Sequence, residues 1–149
     1  MKFEIDQSGK IEQTDKNTIL CLSNDKWFAI LIEAKTKRKL QDIFRQHGQA
    51  RNFVIFTFSA GLAILFEKRP NIDKVIIDRE YSGKEAVIKR IVSEMLRASG
   101  KKEPMIDFSQ IGKGAMAHHW AHEVASKKVS AHYVAGFKEI LGKIKTYLR

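Results

Sequence analysis

Three short strand-like segments in the first 33 residues constrain the fold more than any other feature of the sequence. They lie at residues 2–6, 18–22 and 27–33, and turn-forming residues separate each segment from the next. The first alternates weakly, and the other two are apolar and partly β-branched. Apolar and β-branched segments of this length are typical of strands. Because strands joined by short turns usually pair with their neighbours along the chain, the three segments predict an antiparallel meander.

The rest of the chain alternates between helix and strand patterns. Residues 74–78 (KVIID) and 105–108 are short apolar runs typical of buried strands, and the segments around them show helical spacing of apolar residues. The aromatic and β-branched first half of residues 52–67 suits a strand, whereas SAGLAILFEK suits a helix, and the helix is favoured. Ser82 and Glu85 have the spacing of a capping box for the helix that follows. Helices are predicted at 36–47, 52–67, 83–99, 113–127 and 136–148.

A meander followed by β-α-β units implies a mixed sheet, and right-handed crossovers place helices on its two faces. A chain of 149 residues has the size of one domain. This element order resembles the ribonuclease H-like fold over roughly residues 1–128. The resemblance implies an α/β domain whose five-stranded mixed sheet, in the order 3-2-1-4-5, is flanked by helices. The prediction is therefore a single ribonuclease H-like domain over 1–149, with a C-terminal helix at about 136–148.

The chain is strongly basic, with 27 lysines and arginines against 17 acidic residues and a formal charge of +10. Such an excess favours a polyanionic partner, most commonly a nucleic acid, either DNA or RNA. It is densest at 35–51, where six basic residues accompany one acid, Asp42. A run of this kind is either a solvated helix face or a surface that contacts phosphates. The candidate nucleic-acid-binding residues are Lys35, Lys37, Arg38, Lys39, Arg45, Arg51 and, at the start of a later helix, Lys113.

Two acids stand at the strand positions that matter most in the fold resembled. In ribonuclease H-like proteins an Asp of the first strand lies beside an Asp or Glu at the end of the fourth, and the matching residues are Asp6 and Asp78. Neighbouring strands are about 4.8 Å apart, and carboxylates that close repel each other unless a cation lies between them. The resemblance implies that this pair holds Mg²⁺ or Mn²⁺, with Glu80 as a reserve ligand. Alternatively, Asp6 caps a turn and Asp78 only ends a strand.

A histidine-rich segment, AMAHHWAHEVA, lies in the helix predicted at 113–127. His118 and His122 share one helix face, and His119 and Glu123 share the neighbouring one. The metalloprotease pattern H-E-x-x-H is absent. In some ribonuclease H-like nucleases the helix after the fifth strand supplies a histidine to the metal site. The resemblance implies that His118 is that catalytic residue and ligand, with His119, His122 and Glu123 as further candidates; alternatively, the histidines are partly exposed helix residues.

Other signals exclude whole classes of protein. A single cysteine, Cys21, excludes a disulfide framework and a multi-cysteine zinc site. The N-terminal residues lack the apolar run of a signal peptide, and the apolar stretch at 53–66 is shorter than the ~20 residues that cross a bilayer. We therefore expect a cytoplasmic protein with no membrane association, and we predict no protein partner.

The function that these features favour is metal-dependent hydrolysis of nucleic-acid phosphodiesters by a nuclease or resolvase-like enzyme using Mg or Mn. The alternative is a non-catalytic nucleic-acid-binding module with a degenerate nuclease site. A small-molecule enzyme or a protein-interaction domain is a third possibility. The chain departs from the resemblance at one position that bears on the choice between these functions. In ribonuclease H proper, the helix after the third strand carries a Glu. Here that helix offers only Asp42.

Overall fold

A mixed sheet of six strands organises the protein, which we describe from a computed structural model for residues 2–149. Across the sheet the strands follow the order β5-β4-β1-β2-β3-β6. The pairs β1–β2 and β2–β3 are antiparallel, whereas β1–β4, β4–β5 and β3–β6 are parallel. The strands are β1 (Phe3–Ser8), β2 (Thr18–Ser23), β3 (Trp27–Ile32), β4 (Lys74–Asp78), β5 (Met105–Ser109) and β6 (Tyr133–Val134).

The predicted meander is confirmed, but the predicted number of strands is wrong. The first five strands follow the order 3-2-1-4-5, and β6 adds a sixth strand outside β3. This strand has only two residues, which pair with Ile30 and Leu31. A strand this short shows no detectable alternation of apolar and polar residues, so its sequence gave no signal.

Five helices connect and cover the strands, close to their predicted positions. The helix predicted at 52–67 is confirmed, while the capping box is wrong because the next helix begins at Glu85 and Ser82 lies in the preceding turn. Gly83 takes a positive φ of 84° in that turn. The helices are α1 (Ala34–Gln46), α2 (Phe53–Lys68), α3 (Glu85–Ala98), α4 (Met116–Ala125) and α5 (Phe137–Ile144), with short 3-10 turns at Ala50–Asn52 and Lys145–Tyr147.

The helices divide unequally between the two faces of the sheet. Helices α1, α2, α3 and α5 pack in one layer over a large core that includes Ile5 and Ile77. Helix α4 covers the other face, where Ala121 and Val124 pack on Cys21. Side chains alternate between faces along a strand, so the neighbours of Ile5 and Ile77 point to the α4 face. Asp6 and Asp78 are those neighbours.

Helix α2 is the centre of the larger core. The segment Ala50–Lys68 is long and apolar enough to cross a membrane by length and composition alone, yet 61% of its apolar window is buried within the protein. Gly61 lets the helix lie close to the sheet, because a Cβ there would approach a Leu20 methyl carbon to 2.8 Å. The helix therefore occupies the position of a core helix packed against β2 and β3.

Candidate active site

Adjacent parallel strands bring three carboxylates together at one edge of α4. Ile5 on β1 is level with Ile77 on β4, which sets the following residues, Asp6 and Asp78, side by side. Glu80 follows β4 by two residues and reaches the same place. One carboxylate oxygen of each of the three acids lies within 4.8 Å of the others. The two acids expected from the sequence thus meet, and the reserve ligand joins them to form what we call the acidic cluster.

Asp6 is the buried member of the cluster, with only 4% of its surface exposed. Its Oδ1 accepts a hydrogen bond from the Gln7 backbone N–H at 2.8 Å, and its Oδ2 is 2.7 Å from Nδ1 of His118. Burial raises the pKa of Asp6, and the Asp78 charge adds to that increase, while the two hydrogen bonds oppose it. The carboxylate is therefore held in a fixed orientation in a place that disfavours its negative charge.

Asp78 connects the cluster to the loop that leads into α4. Its Oδ1 accepts a hydrogen bond from the Ile111 backbone N–H at 2.7 Å. Ile111 is buried and lies between β5 and α4. Ile111 in this loop is bonded to Asp78, and His118 on α4 contacts Asp6. The connection from the loop to α4 is therefore fixed to the cluster at both ends.

The pKa of Glu80 is strongly raised. Burial is the main cause that raises its pKa to about 7, the Asp78 carboxylate beside it is the next, and Asp6 contributes further. Lys10 acts in the opposite direction. Buried acids whose pKa is raised by a neighbouring carboxylate, as for Asp6 and Glu80, are typical of a site that binds a cation. Carboxylate oxygens are also the ligands that Mg²⁺ and Mn²⁺ favour, so the donor set fits the ion expected from the sequence.

The stability of the protein without added metal should fall as the pH rises from about 5 to 8. The folded-state pKa of Glu80, about 7, lies above its ordinary value of 4.5, so the folded state binds more protons across this interval. We expect a loss of about 1 kcal/mol after allowance for solvent screening, and a flatter profile in Glu80→Gln. Thermal unfolding at several pH values checks this. A profile for Glu80→Gln as steep as that of the wild type would contradict it.

Only one of the three histidines on α4 contacts the acidic cluster. His118 touches Asp6, although the group of ligand-spaced oxygens does not include it. His119 is exposed, packs edge-on against Trp120 and lies 3.8 Å from Glu123, which also pairs with Lys128. His122 is exposed and lines a cavity above β1 and β2. Among the described residues, the structure thus brings His118 to the cluster and gives the other candidate ligands different neighbours.

Lys37 does not form part of a phosphate-binding surface, which corrects the prediction from its basic surroundings. Its side chain is fully buried, with 0% exposed. Its Nζ donates to the backbone oxygens of Lys10 and Gln13 at 3.0 and 2.7 Å and to Thr18 Oγ1 at 3.0 Å. Burial lowers the pKa of Lys37 to about 8. The residue therefore binds α1 to the loop at 9–17, beside the acidic cluster.

Tyr81 holds the same loop from the other side. Its hydroxyl accepts hydrogen bonds from Gln7 Nε2 at 3.1 Å and from the Ile11 backbone N–H at 3.2 Å, and it donates to Glu12 at 3.3 Å. From the sequence, Tyr81 is a candidate for stacking on bases and not for holding this loop, and sequence reasoning missed Lys10. The signal available was proximity in the chain, since Tyr81 follows Glu80 and Lys10 follows the turn after β1.

The other predicted nucleic-acid-binding residues are exposed, but most belong to the opposite layer. Helix α1 packs with α2 and α5, away from α4. Arg38 donates to the Thr14 carbonyl at 2.8 Å, and Arg45 pairs with Asp42 at 3.8 Å. Lys113 is different, because it lies two residues after Ile111 on the loop held by Asp78. The residues of the opposite layer that remain exposed are Lys35, Arg38, Lys39, Arg45 and Arg51.

Comparison of the chain with protein-family models, with curated proteins and with solved structures finds no significant match.

Proposed function

We propose that this protein is a metal-dependent phosphodiester hydrolase that acts on nucleic acid and has the ribonuclease H-like fold. The convergence of Asp6, Asp78 and Glu80 from neighbouring parallel strands carries the proposal, because their oxygens lie within 4.8 Å of one another. The order of the first five strands, 3-2-1-4-5, and the position of α4 after β5 support the fold assignment.

The acids have the geometry to hold a divalent cation. Asp6, Asp78 and Glu80 would supply oxygen ligands to Mg²⁺ or Mn²⁺, which provides Lewis-acid stabilisation of a phosphate and activation of water when bound. Gln7 and Ile111 fix the two aspartates through backbone hydrogen bonds. These contacts set the direction of each carboxylate before any ligand binds.

His118 is the group that can move a proton next to this site. With Asp6 ionised, Nδ1–H donates to Asp6 Oδ2, which leaves Nε2 as the basic nitrogen of the ring. About two fifths of the His118 side chain is exposed, so that nitrogen is reachable from solvent. We assign two roles to His118. It orients the Asp6 carboxylate, and it exchanges a proton with water or with the leaving group.

Positive charge favours a phosphate-containing substrate. The chain has a formal charge of +10, and Lys10 acts on the Glu80 carboxylate. Lys113 is exposed on the loop that Asp78 holds. Cations near an acidic cluster can bind the phosphates that flank a scissile bond.

A cleavage assay tests the proposal directly. Single-stranded DNA and RNA, duplex DNA, RNA–DNA hybrid and branched substrates are incubated with the protein and Mg²⁺ or Mn²⁺. We expect at least one to be cut, and Asp78→Asn to cut it about 100-fold more slowly or worse. Asp107→Asn is the matched control, because Asp107 is an exposed acid of β5 that pairs with Lys74. No cleavage of any substrate, or unchanged cleavage by Asp78→Asn, would overturn the proposal.

A non-catalytic nucleic-acid-binding module is the second candidate, and the environment of Asp42 favours it. This acid is exposed and pairs with Arg45, so α1 contributes nothing to the ligand-spaced group that the described residues form. A site lacking the helix acid of ribonuclease H proper fits a degenerate nuclease. Salt-dependent oligonucleotide binding without cleavage is the result that this candidate predicts.

A further inference from the structure

A cavity runs across the sheet from Ser8, which lies two residues after Asp6 on β1. Its floor is a row of residues on four adjacent strands, because Ser8 pairs with Ile19, Ile19 with Leu31, and Leu31 with Val134. One wall is the loop at 13–17, and the other is the segment at 124–131, which includes the end of α4. We call this feature the cross-sheet groove.

The groove has an elongated shape that begins at the candidate site. Four strands at about 4.8 Å spacing give a floor about 14 Å long, from β1 to β6. Ser8 lies two residues after Asp6 on the same strand and the same face, so their Cα atoms are about 7 Å apart. A chain-like ligand lying in the groove would therefore lead towards the acidic cluster at the β1 end.

The lining of the groove is apolar at the bottom and carries cations at the rim. Ile19, Leu31 and Val134 form an aliphatic floor. Lys16 on one wall and Lys127 on the other are both exposed, against a single acid, Asp15. An apolar floor between two cationic rims is complementary to a polymer that alternates flat apolar bases with phosphates.

We propose that the cross-sheet groove binds a single strand of nucleic acid and leads it to the acidic cluster. This inference rests on the proposed hydrolase function, and it specifies an unpaired strand as the substrate class. The cavity volume of about 880 Å³ lies within the range of pockets for small ligands. It accommodates about one or two nucleotides, whereas paired bases would be held too far from the floor to contact it.

Two basic surfaces lie on opposite faces of the sheet, and the sequence alone does not distinguish them. Lys16 and Lys127 line the groove on the α4 side of the sheet, to which Asp6 also points, whereas Lys39 and Arg45 lie on the layer of α1. A strand bound along α1 would be on the far face of the sheet from Asp6. Phosphate contacts that serve the proposed cleavage should therefore come from the groove.

Binding measured without cleavage tests the proposal. The probe is a short fluorescein-labelled oligothymidylate, its fluorescence anisotropy is followed in EDTA, and the same strand in duplex form is compared. We expect the single strand to bind more tightly than the duplex. The double variant Lys16→Gln/Lys127→Gln should bind the single strand about tenfold more weakly, with a log–log salt slope shallower by about 1.4. Lys39→Gln/Arg45→Gln is the control of equal charge change and should bind like the wild type.

Two substitutions of opposite charge at one position of the groove floor distinguish an electrostatic effect on binding from a loss of binding caused by misfolding. Val134 is 48% exposed, so either charge can be placed there without disturbing the core. We expect Val134→Glu to weaken binding and Val134→Lys to strengthen it. Equal effects of the two substitutions, or a loss of binding only in the α1 variant, would overturn the groove proposal.

The results of the binding and cleavage experiments distinguish the groove proposal from the hydrolase proposal. A protein that cleaves nucleic acid but binds it equally well after the Lys16, Lys127 and Val134 substitutions retains the proposed function and refutes the groove. Groove-dependent binding without cleavage in any metal supports the groove and refutes the hydrolase. If the wild type does not bind the oligothymidylate, the groove proposal is refuted, and cleavage of the duplex, hybrid and branched substrates decides the hydrolase proposal separately.

Discussion

Asp6→Asn should cleave nucleic acid at least about 100-fold more slowly than the wild type while keeping its fold. The substitution removes the negative charge of the most buried ligand in the acidic cluster. Loss of one charged ligand weakens metal binding and removes several kcal/mol of transition-state stabilisation, and each 1.4 kcal/mol is tenfold in rate. The amide oxygen of asparagine can still accept the Gln7 hydrogen bond, so the local backbone is retained.

The same variant should be at least as stable as the wild type when no metal is added. Burial and Asp78 raise the pKa of Asp6, which means that its ionised form costs folding free energy above its ordinary pKa. A neutral side chain removes this cost. Thermal unfolding in EDTA measures the effect, and repetition with Mn²⁺ should raise the wild-type Tm more than that of the variant.

Asp42→Asn provides the control for this prediction. Asp42 is the acid that α1 offers where ribonuclease H proper carries a Glu, but it is exposed and pairs with Arg45. Cleavage by Asp42→Asn should match the wild type. If Asp6→Asn retains full activity, the acidic cluster is not the catalytic site; if Asp42→Asn loses activity, α1 contributes an acid that the geometry does not include.

Lys37→Met should lower the free energy of unfolding by about 3 kcal/mol. The substitution keeps the apolar stem but leaves the carbonyls of Lys10 and Gln13 and the Thr18 hydroxyl without their buried donor. Hydrogen bonds to a charged group contribute about 1.5–3 kcal/mol each, and part of this is recovered when water reaches the released loop. The Tm should fall by about 6–12 °C for a domain of this size.

Chemical denaturation of Lys37→Met and Lys35→Met tests this expectation. Lys35 is an exposed lysine of the same helix, so its substitution should change stability by less than about 0.5 kcal/mol. Equal stability of the two variants would show that the buried ammonium does not hold the loop at 9–17. Cleavage by Lys37→Met should also decrease, because that loop carries Lys10, which acts on Glu80.

Strand order and the meeting of Asp6 with Asp78 could be predicted because the element order resembles the ribonuclease H-like fold, and that resemblance implies both. A meander followed by right-handed β-α-β units leaves few arrangements of the strands. Once β1 and β4 are neighbours, residues at matching positions must lie side by side. Glu80 joined the cluster although β4 ends at Asp78, so its contribution depends on the loop and not on strand alternation.

Lys37 was predicted wrongly because composition was given more weight than periodicity. The residue stands three positions before Leu40 and seven before Phe44, which places it on the buried stripe of α1. That spacing was visible in the sequence. The loop acceptors that stabilise the ammonium, the carbonyls of Lys10 and Gln13, lie 27 and 24 residues earlier, and no local pattern indicates such a contact.

The role of single histidines on α4 could not be predicted for a similar reason. Helical spacing groups His118 with His122, yet of these two only His118 contacts Asp6 on β1. The rotation of a helix on a sheet depends on which small residues pack inward, here Ala117, Ala121 and Val124. A shift of this stripe by one residue would have presented a different histidine to Asp6.

The backbone hydrogen bond from Ile111 to Asp78 has a consequence for which ions can bind. It occupies one oxygen of the carboxylate, Oδ1, and leaves Oδ2 as the freer donor. Asp6 is similarly engaged at both oxygens, by Gln7 and His118. Carboxylates restrained in this way offer one oxygen each more readily than two. Ca²⁺ usually takes six to eight oxygens and often both from one carboxylate, whereas Mg²⁺ accepts few protein ligands and keeps its waters. The cluster should therefore discriminate against the larger ion by denticity, before charge or cavity size is considered.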